Sequence, residues 1–175
     1  GIIALEVLER LRKNHHIEGI VVSDVPEELK KKYPNLKIYN LIPQKELFEL
    51  MLNSDLFLYP SFVDTFGFSL LEAMSFGLPT ITLNRKDEPN SRKEIIEQGK
   101  NGFIVDVEET LNLKKIGKYE EEIIEKLIEK TTPLIHNRDL REKMSDECLK
   151  NIKKGKFSIE RRNKKLERIY QEAMR

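Results

Sequence analysis

Asp64 and Glu72 stand eight positions apart across a glycine-bearing turn, within the stretch DLFLYPSFVDTFGFSLLEAMSFG from Asp55 to Gly77. Carboxylates suit the recognition of sugar hydroxyls, because each accepts from two neighbouring O–H groups. Between the two acids the turn opens a helix. The first N–H groups of a helix are unpaired and carry partial positive charge, which suits phosphate. Gly67 removes a side chain where a ligand would approach the backbone. The amides of Phe66, Gly67, Phe68 and Ser69 are therefore candidate anion contacts. Local chemistry competes with each of these readings. Asp64 can close an Asx turn onto Phe66, and Ser69 with Glu72 spells S-x-x-E, a capping box. The residues by themselves point to an anionic ligand at a helix N-terminus, with capping as the alternative role for Glu72.

Elsewhere the sequence offers less chemistry. His15 and His16 are adjacent, and neighbours on a helix do not share a face, so a metal site there is disfavoured. His136 has no acid or cysteine close in sequence. No Ser-His-Asp set, zinc spacing or phosphate-binding P-loop is present. Cys148 is the one cysteine; it lies in a charged helical stretch and reads as a packing residue. A lone cysteine also excludes an intrachain disulfide framework.

The 175 residues are 35% charged with a net charge of +1. Such a balance excludes a global field that would call for nucleic acid. No apolar run approaches the roughly 18 residues of a membrane span. The expected setting is the cytoplasm, because the opening GIIALEVLERLRKNHH is an amphipathic helix and not a leader.

The elements that must position the turn alternate in type. Ile2, Leu5, Leu8 and Leu11 recur at helical spacing from the first residues. Gly19 to Ser23 reads as a buried strand, and Asp24 to Tyr33 as a turn and short helix. Leu36 to Leu41 reads as a strand and Gln44 to Asn53 as a helix. Asp55 to Tyr59 reads as a buried strand stopped by Pro60, and Phe66 to Phe76 as turn plus helix. Pro79 to Leu83 is a strand, and Ser91 opens a helix to Gln98 with Glu94 completing a second capping box. Phe103 to Asp106 is a last strand. Beyond it, Leu113 to Asn137 and Arg138 to Lys154 read as charged helices, broken by Pro133. Ile159 to Met174 is a basic helix carrying Arg161, Arg162, Lys164, Lys165 and Arg168. Alternating strands and helices with short connections predict an α/β fold: a parallel, Rossmann-like sheet with helices on both faces and extra C-terminal helices.

The run SDLFLYPSFVDTFGFSLLEAMSFGLPTITLN, followed by EIIEQGKNGFIV, resembles the donor-binding half of the retaining family-four glycosyltransferases of GT-B fold, the group 1 glycosyl transferases. The likeness covers about Gly1 to Asp106. It implies that Asp64 contacts hexose hydroxyls and that Glu72 binds the nucleotide ribose. It implies further that the backbone from Thr65 through Phe66, Gly67, Phe68 and Ser69 to Leu70 cradles sugar and diphosphate, and that Leu41, Ile42 and Gln44 hold the base. Asp64 is one methylene shorter than the family's glutamate, and Thr65 and Asn40 stand where glycine is usual. The resemblance implies transfer of a hexose from a nucleoside-diphosphate sugar with retention, without a metal or other cofactor. It also implies that the whole chain, 1–175, is a C-terminal domain. Its first strand, an arginine and a lysine that neutralise the diphosphate, and an N-terminal acceptor domain would lie upstream, so this chain alone is expected to be inactive. The basic last helix would cross back to that partner domain or touch a membrane. Alternatives are a sugar-nucleotide epimerase or phosphorylase on the same fold, and a non-catalytic binding module using the basic terminal helices.

Overall fold

The computed structural model describes residues 1–62, 66–85, 91–107 and 116–174. Of the residues singled out above, Asp64 and Thr65 lie outside that set. Helix α1 (Ile2–Asn14) leads to strand β1 (Ile20–Val22), helix α2 (Glu27–Lys32) and strand β2 (Lys37–Tyr39). Then follow α3 (Gln44–Leu52), β3 (Phe57–Tyr59), α4 (Phe68–Ser75), β4 (Thr80–Arg85), α5 (Arg92–Ile95) and β5 (Gly102–Val107). Three longer helices close the chain: α6 (Ile116–His136), α7 (Arg138–Lys153) and α8 (Ile159–Ala173).

All pairings among the described residues are parallel, as the β-α-β alternation demands. The strands do not form one sheet, however. β1 pairs with β2, and β3, β4 and β5 form a second, three-stranded sheet in that order. Helix α1 spans both. Its Leu5 packs on Val21, Val25, Tyr33 and Leu36 beside the first sheet. Its Ile3, Val7 and Leu11 join Ile81, Leu83, Val105 and Val107 of the second sheet, together with Leu127 and Leu134 of α6. The opposite face is covered by α4, α5 and α7. There Leu70, Met74, Ile95 and Cys148 meet the side chains of Phe57, Tyr59 and Ile104. The period-two alternation of β3 and β5 thus sends neighbouring residues into two different cores.

Several local expectations are corrected. β3 is half-buried along its length, although FLY reads as a buried strand, whereas β4 is buried from Thr80 to Asn84. Pro133 does not break its helix; α6 runs through it to His136. Leu127 and Leu134, both fully buried, carry the helix past the missing N–H. The break falls at Asn137, whose side chain accepts from the Leu140 amide at 2.9 Å and caps α7. α5 is a single turn, and Ser91 makes no side-chain cap bond there. α8 has no buried residue.

Candidate functional site

Gly67 decides the geometry of the central turn. It is the N-cap of α4 and adopts φ +86°, in the left-handed region. A Cβ at this position would stand 2.8 Å from Ile95 Cδ1 and 3.2 Å from Leu70 Cδ1. Glycine is needed both for the backbone conformation and for the close approach to α5. Its carbonyl accepts from the amides of Leu70 at 3.0 Å and Leu71 at 3.2 Å, which starts the helix. The amides of Phe68 and Ser69 are not consumed in this way and remain at the exposed first turn.

With Gly67 as the cap, Ser69 lies inside the helix and cannot be its N-cap. The Ser69/Glu72 capping box is therefore absent, and α4 carries no side-chain cap. Glu72 is left half-buried on the second turn. Its Cβ leans toward the helix start. Ser69 and Glu72 both line a cavity of about 760 Å³, together with Tyr59, Pro60 and Ser61 at the end of β3 and Ser23 at the end of β1. The carboxyl ends of β1, in the two-stranded sheet, and of β3, in the three-stranded one, thus open onto the same space as Glu72. Crevices beyond the carboxyl ends of strands are where open α/β sheets hold ligands.

The other candidates fall in different places. Leu70 is fully buried, and its amide is taken by Gly67, so within this segment the open amides are those of Phe68 and Ser69. Phe66 and Phe68 project outward as a tilted pair with ring centroids 4.7 Å apart, and Phe68 is 70% exposed. Leu41 is 96% exposed beyond the carboxyl end of β2. Ile42 is half-buried and Gln44 exposed at the start of α3. These three do not line the cavity that holds Glu72.

Residues that drew no attention in the sequence hold α5 in place. Arg92 is buried, and its Nη1 donates to the Leu83 carbonyl at 2.6 Å. Buried Asn101 accepts from the Glu97 amide at 2.8 Å and donates to the Ile95 carbonyl at 3.1 Å, fixing the α5–β5 corner. The bond from buried Arg92 to a carbonyl of β4 is readable only in three dimensions. The histidines behave likewise. His136 Nε2 and His15 Nδ1 lie 3.1 Å apart, joining the ends of α6 and α1 across 121 positions. Among the described residues no group of three His, Cys, Asp or Glu side chains converges as metal ligands would. No helix among them is long and apolar enough to cross a membrane.

Comparisons with known proteins bear on the family and the fold. The family model described as glycosyl transferases group 1 matches residues 3–150. An uncharacterized 41.2 kDa protein in the cps region of Klebsiella pneumoniae is 30% identical over 112 residues. That match takes in 64% of this chain and 30% of the Klebsiella protein, so the chain aligns with about a third of its curated relative. The solved C-terminal domain of a group 1 glycosyl transferase family protein from Francisella tularensis superposes with a TM-score of 0.65 at 18% identity, covering 90% of this chain and 78% of that one. Anabaena HepE, solved in complex with UDP, gives 0.60 at 19% identity, over 97% of this chain and 44% of the other. At these identities the structures speak for the fold, an α/β architecture of parallel strands flanked by helices that this chain shares with GT-B glycosyltransferases. With the family model matching most of its length, the chain belongs to the group 1 glycosyl transferases.

Proposed function

We propose that this chain is the nucleotide-sugar-binding C-terminal domain of a retaining hexosyltransferase. One observation carries the reading: Glu72, which belongs to no capping box, shares a cavity wall with Ser69 at the start of α4, beside the carboxyl ends of β1 and β3. The Phe68 and Ser69 amides and the helix dipole offer an anion site for the diphosphate. The Glu72 carboxylate accepts the paired ribose hydroxyls. Asp64 receives the hexose hydroxyls, and the backbone from Thr65 to Ser69 lies along sugar and diphosphate. Leu41, Ile42 and Gln44 hold the base. HepE's complex with UDP supports a nucleoside-diphosphate donor, and the Francisella domain supports placement at a C-terminus.

In the reaction the bond from the anomeric carbon to the diphosphate oxygen breaks, a bond to an acceptor oxygen forms on the same face, and the acceptor hydroxyl's proton passes to the departing diphosphate. Charge grows on the departing diphosphate, and preorganised amides stabilise it more than they stabilise the bound donor. No metal is needed in this scheme. The acceptor would come from a separate N-terminal domain. α8, basic and exposed, would meet that domain or an anionic membrane surface; nucleic acid has no part in the scheme.

Titrating the chain with UDP-, GDP- and ADP-sugars while following amide resonances tests the proposal. Shifts at Phe68, Ser69 and Glu72 with one of the three are expected, and silence at all three sites with every donor would sink it. Glu72→Ala should weaken that binding by about tenfold or more, the loss of a charge-assisted bond. Its unfolding free energy should stay within about 0.5 kcal/mol of the parent, as for a surface change with no cap to lose. A stability loss with unchanged binding would return Glu72 to a structural role.

A further inference from the structure

Helices α1 and α6 end side by side. The C-cap of α1 is His15, and the last residue of α6 is His136. His15 Nδ1 and His136 Nε2 lie 3.1 Å apart. The rings meet edge to face, with centroids 4.7 Å apart and planes at 79°. Packing fixes both anchor points. Leu11, one turn before His15, and Leu134, two residues before His136, are buried in one cluster, with Ile17 and Ile135 packed against it. The Ile17 amide also donates to the His15 carbonyl at 3.0 Å. The body of the fold thus brings the two rings together.

The spacing suits a shared cation. Imidazole nitrogens bind zinc at about 2.0–2.1 Å, so two of them on one ion stand roughly 2.9 Å apart at a right angle and about 3.3 Å apart at the tetrahedral angle. The 3.1 Å between the two rings falls within that interval. Position adds to this. The C-terminal end of α1 carries partial negative charge, which favours a cation at His15. The basic side chains in the last turn of α1 and the first turn of α7 are already engaged. Arg12 and Lys13 pair with Glu9, and Arg138 pairs with Glu142. Arg141 Nη1 donates to the Leu134 and Ile135 carbonyls at 2.8 and 3.0 Å.

We propose that His15 and His136 form a two-histidine site for a divalent first-row transition ion such as zinc. Two neutral imidazoles hold the ion, and water fills its remaining positions. The donor atoms select the class of metal: imidazole suits zinc, nickel and copper, whereas magnesium and calcium take oxygen ligands. In the direct contact one ring donates its N–H to the other. To bind metal, the donating ring passes that proton to its other nitrogen through water, which frees both facing lone pairs and releases no net proton. The ion sits off the line between the nitrogens, so each ring swings toward it, and His136 is exposed and able to do so. His16, although adjacent to His15, lines the large cavity instead. Neither His15 nor His136 lines the cavity that holds Glu72, so the site stands apart from the donor proposal. Bound metal ties α1 to α6 across 121 positions and stabilises the folded chain by linkage.

Zinc titration of the untagged 175-residue chain, followed on the imidazole nitrogen resonances, tests the proposal. The His15 Nδ1 and His136 Nε2 signals should move together and saturate at one zinc per chain, with His16 unmoved. His136→Gln and His15→Gln should each weaken zinc binding by about tenfold or more, and His16→Gln should leave it unchanged. With zinc at about 100 times its dissociation constant the melting temperature should rise by roughly 5 °C, and magnesium at the same concentration should not raise it. Zinc that binds His136→Gln as tightly as the parent would overturn the proposal, as would a shift at His16 in place of His136, or an equal effect of magnesium. So would a parent chain in which neither ring responds, or one that sediments faster with zinc, the mark of an ion held between two chains. The resonances are read on the unsubstituted chain, so a variant that fails to fold leaves the test intact.

Discussion

At the scale of single residues, Tyr33 and Glu6 show how one hydrogen bond couples stability to pH. The Tyr33 hydroxyl donates to Glu6 Oε2 at 2.9 Å beneath α1. Burial, helped by this bond to a carboxylate, pushes the tyrosine up from 10.0 to about 12. The Arg10 guanidinium, 2.8 Å from Glu6 Oε1, holds the Glu6 carboxyl below its ordinary value of 4.5, and Tyr33 adds to this. A raised tyrosine contributes stability that is whole below its unfolded value and is lost as pH rises through the folded one. The parent should therefore lose stability between pH 10.0 and about 12 relative to Tyr33→Phe. The variant should start about 1 kcal/mol lower at neutral pH, for one lost hydrogen bond. Denaturant melts across that window, read as the difference between the two proteins, check both statements. Glu6 works in the opposite sense: its contribution is present above the ordinary glutamate range and is lost as pH falls through its lowered folded value. Gly67 makes a separate prediction. Gly67→Ala forces a side chain into φ +86° and against Ile95. A loss of about 1–3 kcal/mol in chemical denaturation is expected, and a neutral result would mean that the turn can relax.

At the scale of elements, α8 stands apart. It is amphipathic, with Ile159, Leu166, Ile169 and Tyr170 exposed and Arg161, Lys164, Lys165 and Arg168 elsewhere on its surface. It contributes no buried residue, while Ser158, which caps it through the Arg161 amide, is buried against the body. Ending the chain at Ser158 should therefore leave the melting temperature within about 1 °C of the parent. If the helix meets an anionic membrane, the truncated chain should also lose salt-sensitive sedimentation with phosphatidylserine vesicles. A large drop in melting temperature would show that α8 packs on the body in solution. α6 illustrates the opposite case, an element whose packing overrides its local chemistry. Pro133 removes a helical hydrogen bond, but Leu127, Leu134 and Thr131 are buried on either side of it. The helix continues because burying those side chains offsets the one missing bond.

At the scale of the whole molecule, Cys148 reports on the fold as a unit. It is fully buried on α7, with its sulfur 3.3 Å from Asn101 O and 3.5 Å from Leu78 O, so it joins α7 to the corners before β4 and β5. Burial pushes the thiol up to about 12, far from a reactive thiolate. Thiol reagents should modify the chain only as fast as it unfolds globally, and labelling should accelerate with denaturant along with loss of helical signal. Fast labelling in native buffer would show that α7 detaches on its own. The sequence by itself determined the alternation of strands and helices, the parallel pairing and the place of the glycine turn that opens α4. Those rest on periodicity, Pro and Gly punctuation and a long local motif, which neighbouring residues specify among themselves. It also marked Glu72, while leaving cap and ligand contact as competing roles. Only the tertiary structure removed the cap, because a left-handed Gly67 moved the helix start away from Ser69. The same holds for buried Arg92, the His15–His136 contact and the cavity between β1 and β3. Each depends on which distant segments meet, and that is decided by packing and crossover handedness and not by any local run of residues.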